Sequence, residues 1–321
     1  MTKLKAVRYE SGRKREWDHF VKESKNGIFL FYRDYVEYHA DRFPDSSLIF
    51  LDEDEKLVAV MPATIIGNNV LSSHAGLTFG GVVSGTSMKI GVMLDVFGAL
   101  NAYSREHGFT KLLYKAVPHI YHQLPAEEDL YVLFLQGARL CRRDVSVAIE
   151  MQERLPFSKG RKWSLKQAEK FGLNVSRSFD FATFMAIEEQ LLETKYGARP
   201  VHTAAEIALL ATRFPDNIKL FTTCGGGTMQ AGVIIYESRH VAHAQYIGTS
   251  SEGRKTGALD LIIEYLINDY YAAKPYFDFG ISTEDGGRYL NTGLVENKQS
   301  YGARAIVHDF YELEIPSDKK P

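Results

Sequence analysis

His243 and Gln245 stand two residues apart in 241–247, a run with strand character. Period-two alternation therefore puts both on one face, with Ala242, Ala244 and Tyr246 on the other. A histidine so placed can take up a proton near neutral pH, or serve as a hydrogen-bonded structural residue. Tyr246 can give up a phenolic proton, or be a buried ring with a satisfied hydroxyl. Asp278 stands between Phe277 and Phe279 in an apolar strand ending at Gly280. Desolvation there raises a carboxyl pKa unless the group is paired. Asp278 reads as a base or an orienting group, or as a structural acid capping the next loop.

Between these strands lies 248–257, polar and rich in small residues, followed by Asp260, Leu261, Ile262, Ile263, Tyr265, Leu266 and Ile267 at helical spacing, with Pro275 as the stop. The order is strand, glycine-containing turn, helix, strand. Free backbone N–H groups and the helix dipole at the start of the helix near Ala258 would seat an anion, above all a pyrophosphate, with Arg254 and Lys255 at the rim. An ordinary strand-to-helix connection is the competing reading.

The remaining chain must position these groups. Its 321 residues suffice for two domains. A net charge of −2 gives no global electrostatic footprint for DNA, other nucleic acid or an anionic membrane, which leaves room only for a local basic patch. Cys141 and Cys224 are far apart and form no metal-ligand cluster, so no metal is expected. No apolar run reaches membrane-spanning length and the N-terminal stretch has no apolar signal core, so the expectation is a cytoplasmic protein without a transmembrane segment.

Helices are expected at 16–25, 28–43, 88–107 (ended by Gly108), 126–140, 155–170, 180–196 and 203–213. The basic stretch 155–170 reads as a solvated linker helix, with contact to a phosphate-bearing substrate as the lesser alternative. Two windows share one order. The hairpin strands 48–51 and 57–63 lead through a strand and glycines to a helix and the strand 111–115. The hairpin strands 218–221 and 230–235 lead likewise to a helix and 276–280. Tandem duplication explains this, with domains at 1–152 and 153–321.

That element order resembles the GNAT acyltransferase fold, and its doubling resembles the Fem-type tandem-GNAT branch. The strand His243-Ala244-Gln245-Tyr246, the strand end Asp278-Phe279-Gly280, and Leu290-Asn291-Thr292-Gly293-Leu294 followed by Lys298 and Tyr301-Gly302-Ala303 carry the likeness. In the Fem-type tail the lysine usually follows phenylalanine; here Asn297 precedes it. The resemblance implies an α+β protein of two tandem GNAT-like domains, each a mixed, mostly antiparallel sheet flanked by helices. It implies an acyl donor, acetyl-CoA or another acyl-CoA, along the free edge of a strand that splays from its neighbour. Gln245, Ile247, Arg254, Lys255, Thr256, Gly257 and Ala258 would hold it.

On that basis His243, Tyr246 and Asp278 are the candidate catalytic groups: proton acceptor from an amine, proton donor to a thiolate, and base or orienter. His74, Lys115, Tyr121, His122, Arg143, Glu284 and Lys298 are candidate acceptor contacts, each with a structural alternative. The first four, with His119, are read as lining an acceptor cleft between the domains, and Arg143, with Arg142 and Asp144, as a sugar-phosphate or carboxylate contact or a structural ion pair. The implied reaction is N-acylation of a small molecule, a sugar nucleotide or an envelope or polysaccharide precursor. A Fem-type aminoacyl-tRNA-dependent transfer is the alternative, and a non-catalytic binding protein the third reading.

Overall fold

The computed structural model describes residues 4–315, so the first three residues of the N-terminal stretch read above lie outside it. The chain forms two compact units. One comprises the chain up to Asp144, Glu284–Tyr289 and the chain from Val307 onward; the other comprises Val145–Thr283 and Leu290–Ile306.

The first unit contains β1 (Lys5–Arg8), α1 (Lys14–Glu23), α2 (Arg33–Val36), β2 (Leu48–Leu51), β3 (Leu57–Met61), β4 (Thr64–Ile66), β5 (Val70–Ser72), β6 (Val83–Ser84), α3 (Ile90–Glu106), β7 (Lys111–Lys115), α4 (Glu128–Leu135) and the start of β8 (Arg139–Glu150). Strands β1-β2-β3-β6 form an antiparallel sheet. Elsewhere β4 pairs antiparallel with β5, β5 pairs parallel with β7, and β7 pairs antiparallel with the C-terminal strand Arg304–Glu314. On α3, Met93, Val96, Phe97 and Leu100 recur at helical spacing and pack with Leu48, Phe50, Met61, Leu112 and Tyr114. Each such side chain, fully buried, contributes about 1.5–3 kcal/mol.

The long helix expected at 28–43 is absent. A 3-10 turn, Phe29–Phe31, and the one-turn α2 replace it. The reason is visible in the rings. Phe29, Phe31 and Tyr35 are all buried, whereas a helix would turn Phe29 and Phe31 about 200° apart. The indole of Trp17 donates to Phe31 O at 2.7 Å, giving the irregular backbone a partner. The helix expected to reach 140 stops at Leu135 because Gly137, in the left-handed region at φ 75°, ends it.

The second unit contains the rest of β8, α5 (Lys159–Lys170), β9 (Val175–Ser178), α6 (Phe181–Tyr196), α7 (Ala204–Arg213), β10 (Ile218–Gly225), β11 (Thr228–Glu237), β12 (Val241–Thr249), α8 (Ser251–Thr256), α9 (Ala258–Tyr265), β13 (Tyr276–Ile281) and α10 (Thr292–Gln299). Its strand order is β8-β13-β12-β11-β10-β9. Of these pairs only β12–β13 is parallel. One face of this sheet presents Val233, Ile235, Ala242, Ala244, Phe277 and Phe279 to Ile262 and Ile263 of α9. The other face meets Phe184 of α6.

The doubled order has a concrete counterpart. Each unit holds one parallel pair three rungs long whose strands are joined through helix: Val70–Ser72 on Lys111–Leu113 through α3, and Val241–His243 on Tyr276–Asp278 through α8 and α9. Strands β1 and β9, not anticipated from the sequence, lie at sheet edges, where short segments need little apolar alternation.

Candidate active site

His243 and Asp278 form the last rung of the β12–β13 ladder. Beyond it the strands part. Strand β12 continues along β11, while β13 shifts register after Asp278 and reaches β8 at the Ile281–Ser146 pair. Gly280 makes this bend possible at φ 77°, and a Cβ there would sit 3.2 Å from His243 Cε1. Asp278 is wholly buried. Its Oδ1 accepts from Ser146 Oγ at 2.6 Å and from Gly280 N at 3.0 Å, and its Oδ2 lies 2.9 Å from His243 Nδ1.

An ionised carboxylate only accepts hydrogen bonds, so Nδ1 carries the hydrogen and Nε2 keeps a lone pair. The imidazole is 15% exposed, so its outer nitrogen is within reach of a second reactant. This arrangement orients a histidine as a general base. Lys298 is buried, and its ammonium donates to Gly280 O at 2.8 Å and Ile281 O at 2.7 Å, fixing the bend of β13. Burial lowers its pKa to about 8 against the opposing pull of Asp278.

A β-bulge changes what β12 presents. Ile235 faces Ala244 while Ile234 faces Tyr246, so Gln245 is the extra residue. Past the bulge the alternation inverts. Ala242 and Ala244 point to α9, but Tyr246 turns to the side of His243 and Asp278, correcting the expectation that it shares a face with the alanines. The Tyr246 hydroxyl lies 2.7 Å from His202 Nδ1 and accepts from His202 N at 3.2 Å. Burial, with the charge of Glu188 adding to it, pushes its pKa up to about 12.

Glu188, absent from the candidates drawn from the sequence, belongs to this cluster. Gly232 and Gly248 are opposite each other in β11 and β12, and α6 packs against them. A Cβ on Gly248 would lie 2.9 Å from Glu188 Oε2, and one on Gly232 would lie 2.3 Å from Phe184. Glu188 is buried and its Oε2 has no hydrogen-bond partner among the described residues. Desolvation raises its pKa to about 7. A signal existed in the sequence: Phe181, Phe184, Met185 and Glu188 recur at i, i+3, i+4, i+7, so a carboxyl stands in an apolar stripe.

The segment read as a polar turn is largely helical. Ser250 caps α8 through Gly253 N at 3.0 Å, and Gly257, at φ 73°, joins α8 to α9. The entrance near Ala258 is closed by α5, because a Cβ on Gly257 would lie 2.2 Å from Ser164 O. Thr256 Oγ1 donates to Gln230 Oε1 at 2.6 Å, and Ala258 is wholly buried. Arg161 of α5 holds Asp260 at 2.8 Å and Ser300 Oγ at 2.8 Å. The open anion seat expected at Ala258 is therefore filled by the protein's own packing. Arg254 and Lys255 are exposed, Lys255 beside Glu252 at 3.1 Å. Ile247 packs on the α9 side, and Gln245 is half-buried in the bulge.

Residues 159–289 match the family model of an acetyltransferase (GNAT) domain, a span that includes β12, α8, α9 and β13. The match makes this segment similar to GNAT acetyltransferase domains. Among solved structures, FemX aligns with 95% of this chain and 96% of its own at TM-score 0.66 and 11% identity. The C-terminal domain of a putative lysylphosphatidylglycerol synthetase from Agrobacterium fabrum aligns over 94% and 92% at TM-score 0.61 and 10% identity. A tandem GNAT protein from the clavulanic acid biosynthesis pathway aligns over 98% and 100% at TM-score 0.51 and 11% identity. At these identities the likeness establishes the fold. No curated protein matches the sequence.

The chain thus has the tandem-GNAT fold, with its acetyltransferase-like segment in the second unit. The splay implied by the GNAT resemblance is present in that domain, at His243 and Asp278. In the first unit, the end of the corresponding parallel pair is filled by Lys115. Its ammonium donates to His74 O at 3.1 Å, Ala75 O at 3.2 Å and Leu77 O, and burial lowers its pKa to about 8.

His74 is wholly buried at φ 66°, its ring 5.3 Å from that of His39, and burial lowers its pKa to about 3. Tyr121 is buried with its ring 4.7 Å from Phe79, and His122 Nε2 lies 3.0 Å from Val117 O. Arg143 forms a two-pronged pair with Asp309 at 2.7 and 2.8 Å, and Glu284 is exposed. His74 and Lys115 therefore come together, but in a closed environment. Among the described residues no group of three or more His, Cys, Asp or Glu is arranged to hold a metal ion. A cavity of about 440 Å³, lined by Ile149, Leu155, Phe157, Ile267 and Tyr301, lies on the α9 side of the sheet, away from His243.

Proposed function

We propose that the protein is an N-acyltransferase in which His243, oriented by Asp278, takes the proton from an acceptor amine at the parting of β12 and β13. The observation that carries this reading is the Nδ1–carboxylate contact of 2.9 Å at the last shared rung of the two strands. The amine nitrogen forms the new bond to the acyl carbon, and the bond to the donor's thiolate or ester oxygen breaks. The proton held on His243 Nε2 returns to that leaving group, so one residue takes and gives. Tyr246, its hydroxyl engaged by His202, is a support for the strand in this scheme.

The GNAT domain supports an acyl-CoA donor, with acetyl-CoA as the first to test. An amino group of a sugar nucleotide or envelope precursor is the acceptor suggested by the Fem-type resemblance. One observation favours the second reading: α5 covers the helix entrance at Gly257 and Ala258. A donor whose phosphates need no grip at that point, such as an aminoacyl-tRNA, avoids the obstruction. Thermal shift separates the two. A donor present at a hundredfold excess over its Kd stabilises the folded state by about 2.7 kcal/mol. Stabilisation by acetyl-CoA supports the first reading and stabilisation by charged tRNA the second; with neither, the transferase reading fails.

A further inference from the structure

Helix α5 has two faces with different tasks. Its inner face is pinned: Ala168 is wholly buried and Arg161 bonds to Asp260, Ser300 and the Asn297 carbonyl, its guanidinium 4.0 Å from the Tyr301 ring centre. Lys159, Lys162, Lys166 and Lys170 recur at i, i+3, i+7, i+11 and are all exposed. They form one stripe about 16 Å long. None of the four side chains has a hydrogen-bond or ion-pair partner among the described residues. Some exposed cations elsewhere are paired, as in Arg139–Glu312, Arg143–Asp309 and Lys255–Glu252. Within α5 the only acid is Glu169, and the whole chain is near neutral at net charge −2, so the stripe is a local concentration of charge.

Two large rings flank it. Trp163 is 62% exposed and Phe171, just past the helix end, 59%. Unpartnered lysines beside exposed aromatic rings on a convex, rigidly held helix are the chemistry of an interfacial surface. The ammonium groups meet anionic headgroups, and the rings enter the boundary below them. Recognition of single-stranded nucleic acid adds a concave stacking groove to its phosphate contacts. The stripe lies on the outside of a helix.

We propose that the Lys159–Lys162–Lys166–Lys170 stripe of α5, with Trp163, docks the protein peripherally on an anionic lipid surface. This does not rest on the acyl-transfer reading. The chain has two tryptophans, and Trp17 is 1% exposed, so Trp163 emission reports the contact. The full chain is titrated at low salt with vesicles of phosphatidylcholine and of phosphatidylcholine mixed with phosphatidylglycerol. A blue shift and co-sedimentation are expected with the anionic vesicles alone, declining as salt rises.

The double variant Lys162→Glu/Lys166→Glu, its fold checked by circular dichroism, should bind at least about tenfold more weakly. Trp163→Phe should lose the optical signal yet still sediment. Absence of binding to anionic vesicles, binding unaffected by the double charge reversal, or retention of a hairpin RNA by the stripe with no vesicle binding would each overturn the proposal. The last result would assign the surface to nucleic acid.

Discussion

His243 Nδ1 lies 2.9 Å from Asp278 Oδ2, and the same two residues close the parallel ladder between β12 and β13. Backbone pairing and side-chain pairing therefore coincide where the sheet opens. The imidazole is fixed from one side by a buried acceptor whose other oxygen is already engaged by Ser146 and Gly280. The carboxylate has no donor of its own, so the tautomer of His243 is set by the fold.

Asp278→Asn tests that coupling. Asparagine can present an N–H to Nδ1, which reverses the tautomer and moves the hydrogen to Nε2. In ¹⁵N-edited spectra the wild-type ring should show Nδ1 protonated, and the variant should show Nε2 protonated with the fold kept. Acyl transfer should fall by about 10²–10⁴-fold. An unchanged tautomer would remove Asp278 from the role of orienter.

Glu188 gives a pH signature with a defined sign. Its folded pKa is raised to about 7 by burial, from 4.5. The folded state therefore holds a proton that the unfolded state releases between these values. Stability is full below about 4.5 and is lost as pH rises to about 7, by about 3 kcal/mol. Glu188→Gln should melt higher than wild type at pH 8 and equally near pH 4.5. A constant difference across that range would show that the carboxyl is not held neutral by the fold.

Gly257→Ala should destabilise the protein by about 2–4 kcal/mol. The position needs φ 73°, and the added methyl would meet Ser164 O at 2.2 Å. Denaturant melts measure this directly. A variant as stable as wild type would mean that α5 does not pack on the α8–α9 junction, and the donor seat expected at Ala258 would be open again.

Much of the scaffold was legible because its signals are local. The hairpins at 48–63 and 218–235 show apolar runs around turn residues, and Gly108, at φ 74°, ends α3 as expected. His243 and Asp278 were found singly from their strand contexts, but their contact was not, since it depends on the register of strands 35 residues apart. The bulge at Gln245 escaped for the same reason: it exists only relative to β11, and it reverses the face assigned to Tyr246. The run 251–256 reads as a turn because Ser, Gly and Thr dominate it, yet the Ser250 cap and packing against β11 make it helical. Lys298 reads as a surface or phosphate-contacting residue from its charge alone; two backbone carbonyls in β13 give its ammonium a buried site.

The central claim is that His243 deprotonates the acceptor amine. Amine-dependent release of free CoA thiol from acetyl-CoA, scanned over primary amines including amino sugars and run beside amine-dependent deacylation of charged tRNA, tests it in wild type and His243→Gln. The account predicts turnover with one donor, reduced about 100-fold or more in the variant while that donor still raises the melting temperature equally. Equal turnover by the two proteins would contradict it.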